Sequence, residues 1–443
     1  MTAHVAPSRL HTLATTVRRP GTVHSIARTA GFNVAAVVAA GLGGIVIARA
    51  LGPTLRGDYA AVTAWFGIAL MVGGMGQPAA LCFYVARDPA NARQYVATAR
   101  AMMLVTGGIA LVGGILLAPI IGHHNPVVVA GYRIAFCASI ICFVGAGYTF
   151  ALQARDLSNW NIVRLSQPVL SVVTIAVLWR LRLLTLESAL VVLIGTMLLQ
   201  LAWAYRCCRR ADLAPGRAKV TLIRPLMTYG TAQIAALTPA AVNTQLDQLV
   251  LSQTVPPADL GRYAIAVSLT SLPIPLVSAI GNVAFPQLAS QRRVTGGTDR
   301  LQRIAVLGSV AIAAMLLIPL AGVAHWLVPL VFGEGYRAAV PLLWILTPGA
   351  VFLACGQVVG DLLRGRGRPS VVAWSQGLAA IFTVLLLLIL LPLIGVYGAA
   401  IASTVSYGVA LAVMLRRLWC LPPDSRRSHR KRPIPANIIV QES

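Results

Sequence analysis

The chain has 443 residues, 57% of them hydrophobic and only 11% charged. A water-soluble domain carries about 25% charged residues to cover its surface, so this balance excludes a soluble enzyme and makes lipid the main solvent. The formal net charge of +24, from 36 Lys and Arg against 12 Asp and Glu, is scattered between apolar blocks. That sets nucleic acid aside and leaves membrane topology and contact with membrane lipids as its uses.

Residues 1–27 are polar and basic, with Arg9, Arg18 and Arg19. The apolar stretch after them is too long for the core of a cleaved signal, so they are expected to form a cytoplasmic arm. Twelve apolar blocks of bilayer-spanning length follow. Six lie near 28–50, 59–85, 99–121, 127–152, 161–179 and 184–205. A basic linker over 211–224 leads to six more near 225–251, 259–285, 303–325, 337–361, 369–391 and 395–415. A basic tail occupies 416–443, with its densest cluster at 426–433. The expected fold is an all-α integral membrane protein of about twelve transmembrane helices, in six-helix bundles at 28–210 and 225–415. Short loops such as Gly52-Pro53 separate the blocks, and none is long enough to hold an extramembrane domain.

Positive charge collects on alternate connections. The arm, the tail and every second loop hold 29 of the 36 basic residues, and the other side has Arg49, Arg56, Arg133, Arg180, Arg182, Arg262 and Arg337. By the positive-inside rule both termini are cytoplasmic and the number of spans is even.

A polar or ionisable side chain inside a span is costly in hydrocarbon and is a candidate for function. In chain order these are Arg28 and Asn33 in span one, Arg133 in span four, and Arg164 and Gln167 in span five. Gln233, Asn243, Gln245 and Asp247 lie in span seven, and Gln376 in span eleven. Arginine offers a fork of donors that suits a pyrophosphate. Equally, Arg28, Arg133 and Arg164 lie within about two turns of a span end and can snorkel to headgroups. Asn243 and Asp247 share a helix face at i, i+4. Asp247 is a candidate substrate contact or ion-coupling group, since a carboxylate in low dielectric can take up a proton. The alternative is that it sits near the end of its helix and faces interfacial water. Glu187 and Asp361, near span ends, are expected at the interface. Pro273, Pro275, Pro341 and Pro348 are candidates for hinges or for static kinks.

The chain has no GxxxxGK[ST] phosphate loop, no HExxH and no CxxC. Its seven cysteines lie mostly in apolar blocks, where a free thiol acts as a small hydrophobe. No ATP chemistry, metal or cofactor is therefore expected.

Two short echoes mark an internal repeat. Gly57-Asp58-Tyr59-Ala60 recurs as Gly261-Arg262-Tyr263-Ala264, and Leu165-Ser166-Gln167 as Trp374-Ser375-Gln376, at offsets of 204 and 209. With six spans per half the repeat is parallel, about an axis along the membrane normal.

The stretch IVIARALGPTLRGDYAAVTAWFGIALMVGGMGQPAALCFYVAR at 45–87 resembles the first helical hairpin of Wzx-type polysaccharide flippases. These belong to the multidrug/oligosaccharidyl-lipid/polysaccharide exporter superfamily. Residues 243–289 and 331–352 resemble later helices of the same family. The resemblance implies a MATE-like pair of six-helix bundles that rock between two open states. It also implies a lipid-linked glycan as substrate, membrane lipids and cell-envelope biosynthesis enzymes as partners, and transport rather than catalysis. An ion-coupled multidrug or metabolite antiporter of the same superfamily is the alternative, with a polyprenyl-sugar glycosyltransferase or polymerase as the second.

Overall fold

The structure is a computed structural model that describes residues 20–214, 216–278, 297–366 and 368–420. The arm up to residue 19, the end of span eight and the tail beyond 420, with its cluster at 426–433, lie outside the described residues. Every regular element among the described residues is helical. Hydrocarbon offers no partner to backbone N–H and C=O groups, and a helix satisfies them internally.

Pro20–Gly73 (α1) is two spans run together, and Gln77–Arg87 (α2) completes the second after a break at 74–76. Spans three to six are Ala92–Ile121 (α3), Pro126–Arg155 (α4), Leu157–Arg180 (α5) and Leu186–Arg210 (α6). Spans seven to nine are Ile223–Thr254 (α7), Pro257–Thr270 (α8) and Gly297–Phe332 (α9). Ala339–Gly365 (α10), Pro369–Ile394 (α11) and Val396–Trp419 (α12) are the last three. Ten described segments are long and apolar enough to cross a membrane, and one of them, Gly31–Gly73, carries two spans. Two helices remain: α2, which is short, and α7, which carries Gln233, Gln245, Gln248 and Gln253 along it.

The loop expected at Gly52-Pro53 is a kink of one residue. Gly52 has φ 72° and ψ 177°, a conformation open to a residue without Cβ. Pro53 restarts the helix where its missing N–H costs nothing. Span eight breaks at 271–273, around Pro273, and resumes to 278. Pro341 and Pro348 lie in uninterrupted helix. Side chains set several starts. Asn125 accepts from Val127 N at 3.1 Å ahead of Pro126, and Thr185 and Ser188 form a capping box on α6.

In the first half α3 packs on α4, α4 on α6 and α1 on α5; in the second α10 and α11 pack on α12 and α9 on α10. Leu81, Val96 and Leu152 fill the core near the arginine-rich end of the first half, and Val62, Phe66 and Phe136 near the arginine-poor end. Val358, Leu362 and Met414 fill the arginine-rich end of the second half. At its other end the cluster of Tyr263, Leu343 and Ala400 takes in Ala48, Ala60 and Ala61 of the first half, so the halves share a core there. Outward faces carry exposed Leu116, Ile120, Met315 and Leu393, the side chains that meet lipid.

Within the shared core the halves meet through equivalent residues. A Cβ on Gly57 would collide with the carbonyl of Pro257, and one on Gly261 with the carbonyl of Pro53. Pro53 and Pro257 are separated by the same 204 positions as Gly57 and Gly261. The contact thus maps onto itself when the halves are exchanged, as a two-fold axis requires. The two bundles and their pseudo-symmetry follow the expected fold class.

Candidate functional site

Two polar residues of span seven, Asn243 and Asp247, are buried inside the second half, each held by its own set of hydrogen bonds. Asn243 and Asp247 lie one helical turn apart on α7, with 1% and 3% of their surface exposed. Asn243 Oδ1 accepts from Thr383 Oγ1 at 2.8 Å, and its Nδ2 donates to Gln376 Oε1 at 3.4 Å, which ties α7 to α11. Asp247 Oδ2 accepts from the Tyr263 hydroxyl and from Ser403 Oγ at 3.1 Å, and its Oδ1 from Gln248 N at 2.7 Å. The carboxylate is therefore surrounded by donors, and the water-facing alternative for Asp247 is overturned. The span continues past it to Thr254, so the side chain enters the packing of α8 and α12 before the interface is reached.

Among the described residues no basic side chain pairs with Asp247. The four ion pairs among the described residues are Arg93–Asp212, Arg262–Asp259, Arg337–Glu334 and Arg364–Asp361, all near helix ends. Glu187 is exposed in the first turn of α6. Beside Asp247 lies a cavity of about 40 Å³ edged by Thr244, Thr270, Ser403 and Tyr407. It has room for a small ion or a water but not for a sugar.

A second cluster joins α1 to α5 near the arginine-rich end. Arg28 donates to Ser158 Oγ, and Asn161 Nδ2 donates to Thr29 Oγ1 at 3.0 Å. Arg164 Nη1 donates to Asn33 Oδ1 at 3.2 Å, and its guanidinium lies 4.4 Å from the centre of the Trp160 ring. Both arginines are exposed, so each keeps donors for an anion while polar neighbours fix its stem. The structure thus brings together Arg28, Asn33 and Arg164, and separately Asn243, Asp247 and Gln376. Gln167 is half-buried one turn beyond Arg164, and Gln233 Nε2 donates to Tyr229 Oη at 3.4 Å. Arg133 is exposed near the arginine-poor end and joins neither cluster; Gln245 is half-buried on α7 outside the Asp247 network.

Sequence reading missed Tyr263, Ser403 and Thr383. Tyr263 carried a signal, since it stands in the repeated Gly-x-Tyr-Ala; the two hydroxyls carried none.

Between the halves α2 runs beside α7. Phe83 and Tyr229 stack at 4.5 Å between centroids, and Tyr84 Oη donates to Pro225 O at 3.4 Å. Trp65 Nε1 donates to Ser252 Oγ at 3.0 Å nearer the other end. Gln77 is 2% exposed at this contact, and its Oε1 has no hydrogen-bond partner among the described residues.

A family model described as polysaccharide biosynthesis protein matches residues 24–291. The chain is 24% identical to the teichuronic acid biosynthesis protein TuaB of Bacillus subtilis over 329 residues, 71% of this chain and 65% of that one. It is 20% identical to the probable low-salt glycan biosynthesis flippase Agl15 of Haloferax volcanii over 227 residues, 50% of this chain and 47% of that one. The chain thus spans about half to two thirds of the length of these curated relatives. Among solved structures, the lipid II flippase MurJ in an inward closed conformation aligns with a TM-score of 0.73 at 11% identity, over 88% of each chain. At that identity the likeness is one of fold.

Proposed function

The chain belongs to the polysaccharide biosynthesis protein family, and from that premise we propose that it is a flippase. Its substrate is a polyprenyl-pyrophosphate-linked oligosaccharide or polysaccharide precursor, moved across the cytoplasmic membrane by alternating access. It is a transporter and not an enzyme. The observation that carries the reading is the self-matching contact of Gly57 and Gly261, which lets two similar bundles pivot on each other inside a bilayer. The relatives named for glycan assembly and flipping support the substrate class.

In this reading the bundles are 28–210 and 225–415. The linker 211–224 is strapped to α3 through Gly216 N to Arg93 O at 3.0 Å and Lys219 N to Thr98 Oγ1 at 3.0 Å. The arm 1–27, the tail 416–443 and the whole arginine-rich end face the cytoplasm. Arg28 and Arg164, with Asn33 and Gln167 beside them, receive the pyrophosphate there by charge-assisted hydrogen bonds. Asn243 and Gln376 tie α7 to α11 one turn from Asp247, while Gln233, Gln245 and Arg133 lie outside both clusters and take weaker roles along the route.

A buried carboxylate is costly without a cationic partner, and Asp247 has none among the described residues. Asp247 is therefore assigned the proton or monovalent cation whose movement drives the cycle, in a cavity that suits an ion and excludes a glycan.

Conditional depletion in the native cell tests the proposal. Precursor glycolipid should accumulate on the cytoplasmic leaflet, and an unchanged distribution between leaflets would end it.

A further inference from the structure

A second cavity, of about 450 Å³, opens at the arginine-poor end where α1 meets α9 and the turn before α10. Arg49 from the first half and His325, Trp326, Leu330, Glu334 and Arg337 from the second line it. It lies outside both clusters described above, and nothing in the transport cycle uses it.

The chemistry of the lining is that of a cationic cup with an apolar lip. Arg49 Nη2 donates to the backbone carbonyl of Leu330 at 2.8 Å, which fixes the guanidinium and leaves its other N–H groups without a partner among the described residues. Arg337 grips Glu334 through Nε at 3.0 Å and Nη2 at 3.1 Å, and its Nη1 meets no partner among the described residues. Two guanidiniums face one carboxylate, so the cup keeps a net positive charge. Trp326 and Leu330 are each 71% exposed beside it, and an exposed tryptophan at a span end marks the depth of the headgroups. A ligand fitting this lining has a compact anionic head and acyl chains that can lie against Trp326 and Leu330.

We propose that this cup binds the phosphate head of an anionic glycerophospholipid. The two arginines come from different halves. They are held together only while the halves are apposed at this end, where Tyr336 Oη also donates to Ala48 O at 3.1 Å. A lipid phosphate bridging Arg49 and Arg337 therefore favours the state closed at the arginine-poor end, as a ligand must when it binds one of two states better.

Native mass spectrometry of the purified full chain tests this, with phosphatidylglycerol, phosphatidylcholine or undecaprenyl phosphate added in turn. The wild type should retain one phosphatidylglycerol in clear preference to phosphatidylcholine. Arg49→Gln and Arg337→Gln should each weaken that retention about fivefold, the effect of one arginine on an anionic lipid. Arg337→Gln leaves the Arg49–Leu330 bond in place, so it reads charge without disturbing the junction. Glu334→Gln should strengthen retention, because it frees the Arg337 fork and removes a competing anion. Arg180→Gln, exposed at the same end but outside the cup, should behave as wild type. Equal retention of the two phospholipids, or unchanged retention in both arginine variants, would overturn the site. Displacement of phosphatidylglycerol by undecaprenyl phosphate at a much lower concentration would overturn a glycerophospholipid as the occupant.

Discussion

Gly57 and Gly261 hold equivalent positions in the two halves and face each other, each leaving room only for the backbone of the other's helix. Close approach of helices through small residues is how membrane helices associate without a hydrophobic drive between them. Here the approach falls on the pseudo-two-fold axis, so one pair of glycines sets how tightly both bundles close at the arginine-poor end.

Gly57→Ala and Gly261→Ala should weaken that closure. Overpacking a close contact costs about 1–3 kcal/mol, a shift of roughly 5–150-fold between two states. Spin-label distances across the arginine-poor end should lengthen in both variants, and transport should fall in parallel. Gly44→Ala, where a Cβ meets nothing within 4 Å, should change neither.

Asp247→Asn should abolish gradient-driven transport while leaving a folded protein. The amide keeps the shape, but its NH2 faces the hydroxyls of Tyr263 and Ser403 and it cannot carry the charge that an ion exchanges for. Tyr263→Phe removes one donor and should cost about 1–3 kcal/mol of stability with transport reduced rather than lost. Uptake of labelled substrate into vesicles, with and without an imposed ion gradient, separates the two variants.

Arg164→Lys keeps the charge and loses both the fork and the stack on Trp160. Affinity for a soluble pyrophosphate-sugar analogue should fall about tenfold, and Arg28→Gln combined with Arg164→Gln should remove measurable binding. Calorimetric titration checks both, and wild-type affinity in Arg164→Lys would show that the arginine only snorkels.

Gln77→Leu should stabilise the chain. The unpaired Oε1 of Gln77 is buried between α2 and α7, and an unsatisfied acceptor costs about 1–3 kcal/mol. A higher Tm with slower turnover would identify this contact as one that opens during the cycle; faster turnover would contradict that.

The spans were legible because hydrophobic length has one solution in lipid, and the alternation of Arg-rich loops fixes their number. The one-residue turn at Gly52 was harder to see, because Gly-Pro is written the same way in a loop as in a kink. The break at 74–76 leaves a glycine-rich sequence, Gly73-Gly74-Met75-Gly76, that resembles ordinary helix-packing glycine. Asp247 stood out as a carboxylate in an apolar block, and its i, i+4 partner Asn243 gave the face. Its hydroxyl partners did not stand out, since serine and threonine occur on many membrane helices and only the fold shows which of them converge. The Arg28–Ser158 and Arg164–Asn33 contacts were equally hidden, because their partners stand 130 and 131 residues apart.

Purified protein in sealed vesicles gives the most direct measurement, with a fluorescent polyprenyl-pyrophosphate oligosaccharide placed in one leaflet and its sugar oxidised from the other side over time. The account predicts that the sugar becomes accessible with the chain present and much more slowly with Gly57→Ala. Accessibility no faster than in protein-free vesicles, under every imposed gradient, would contradict it.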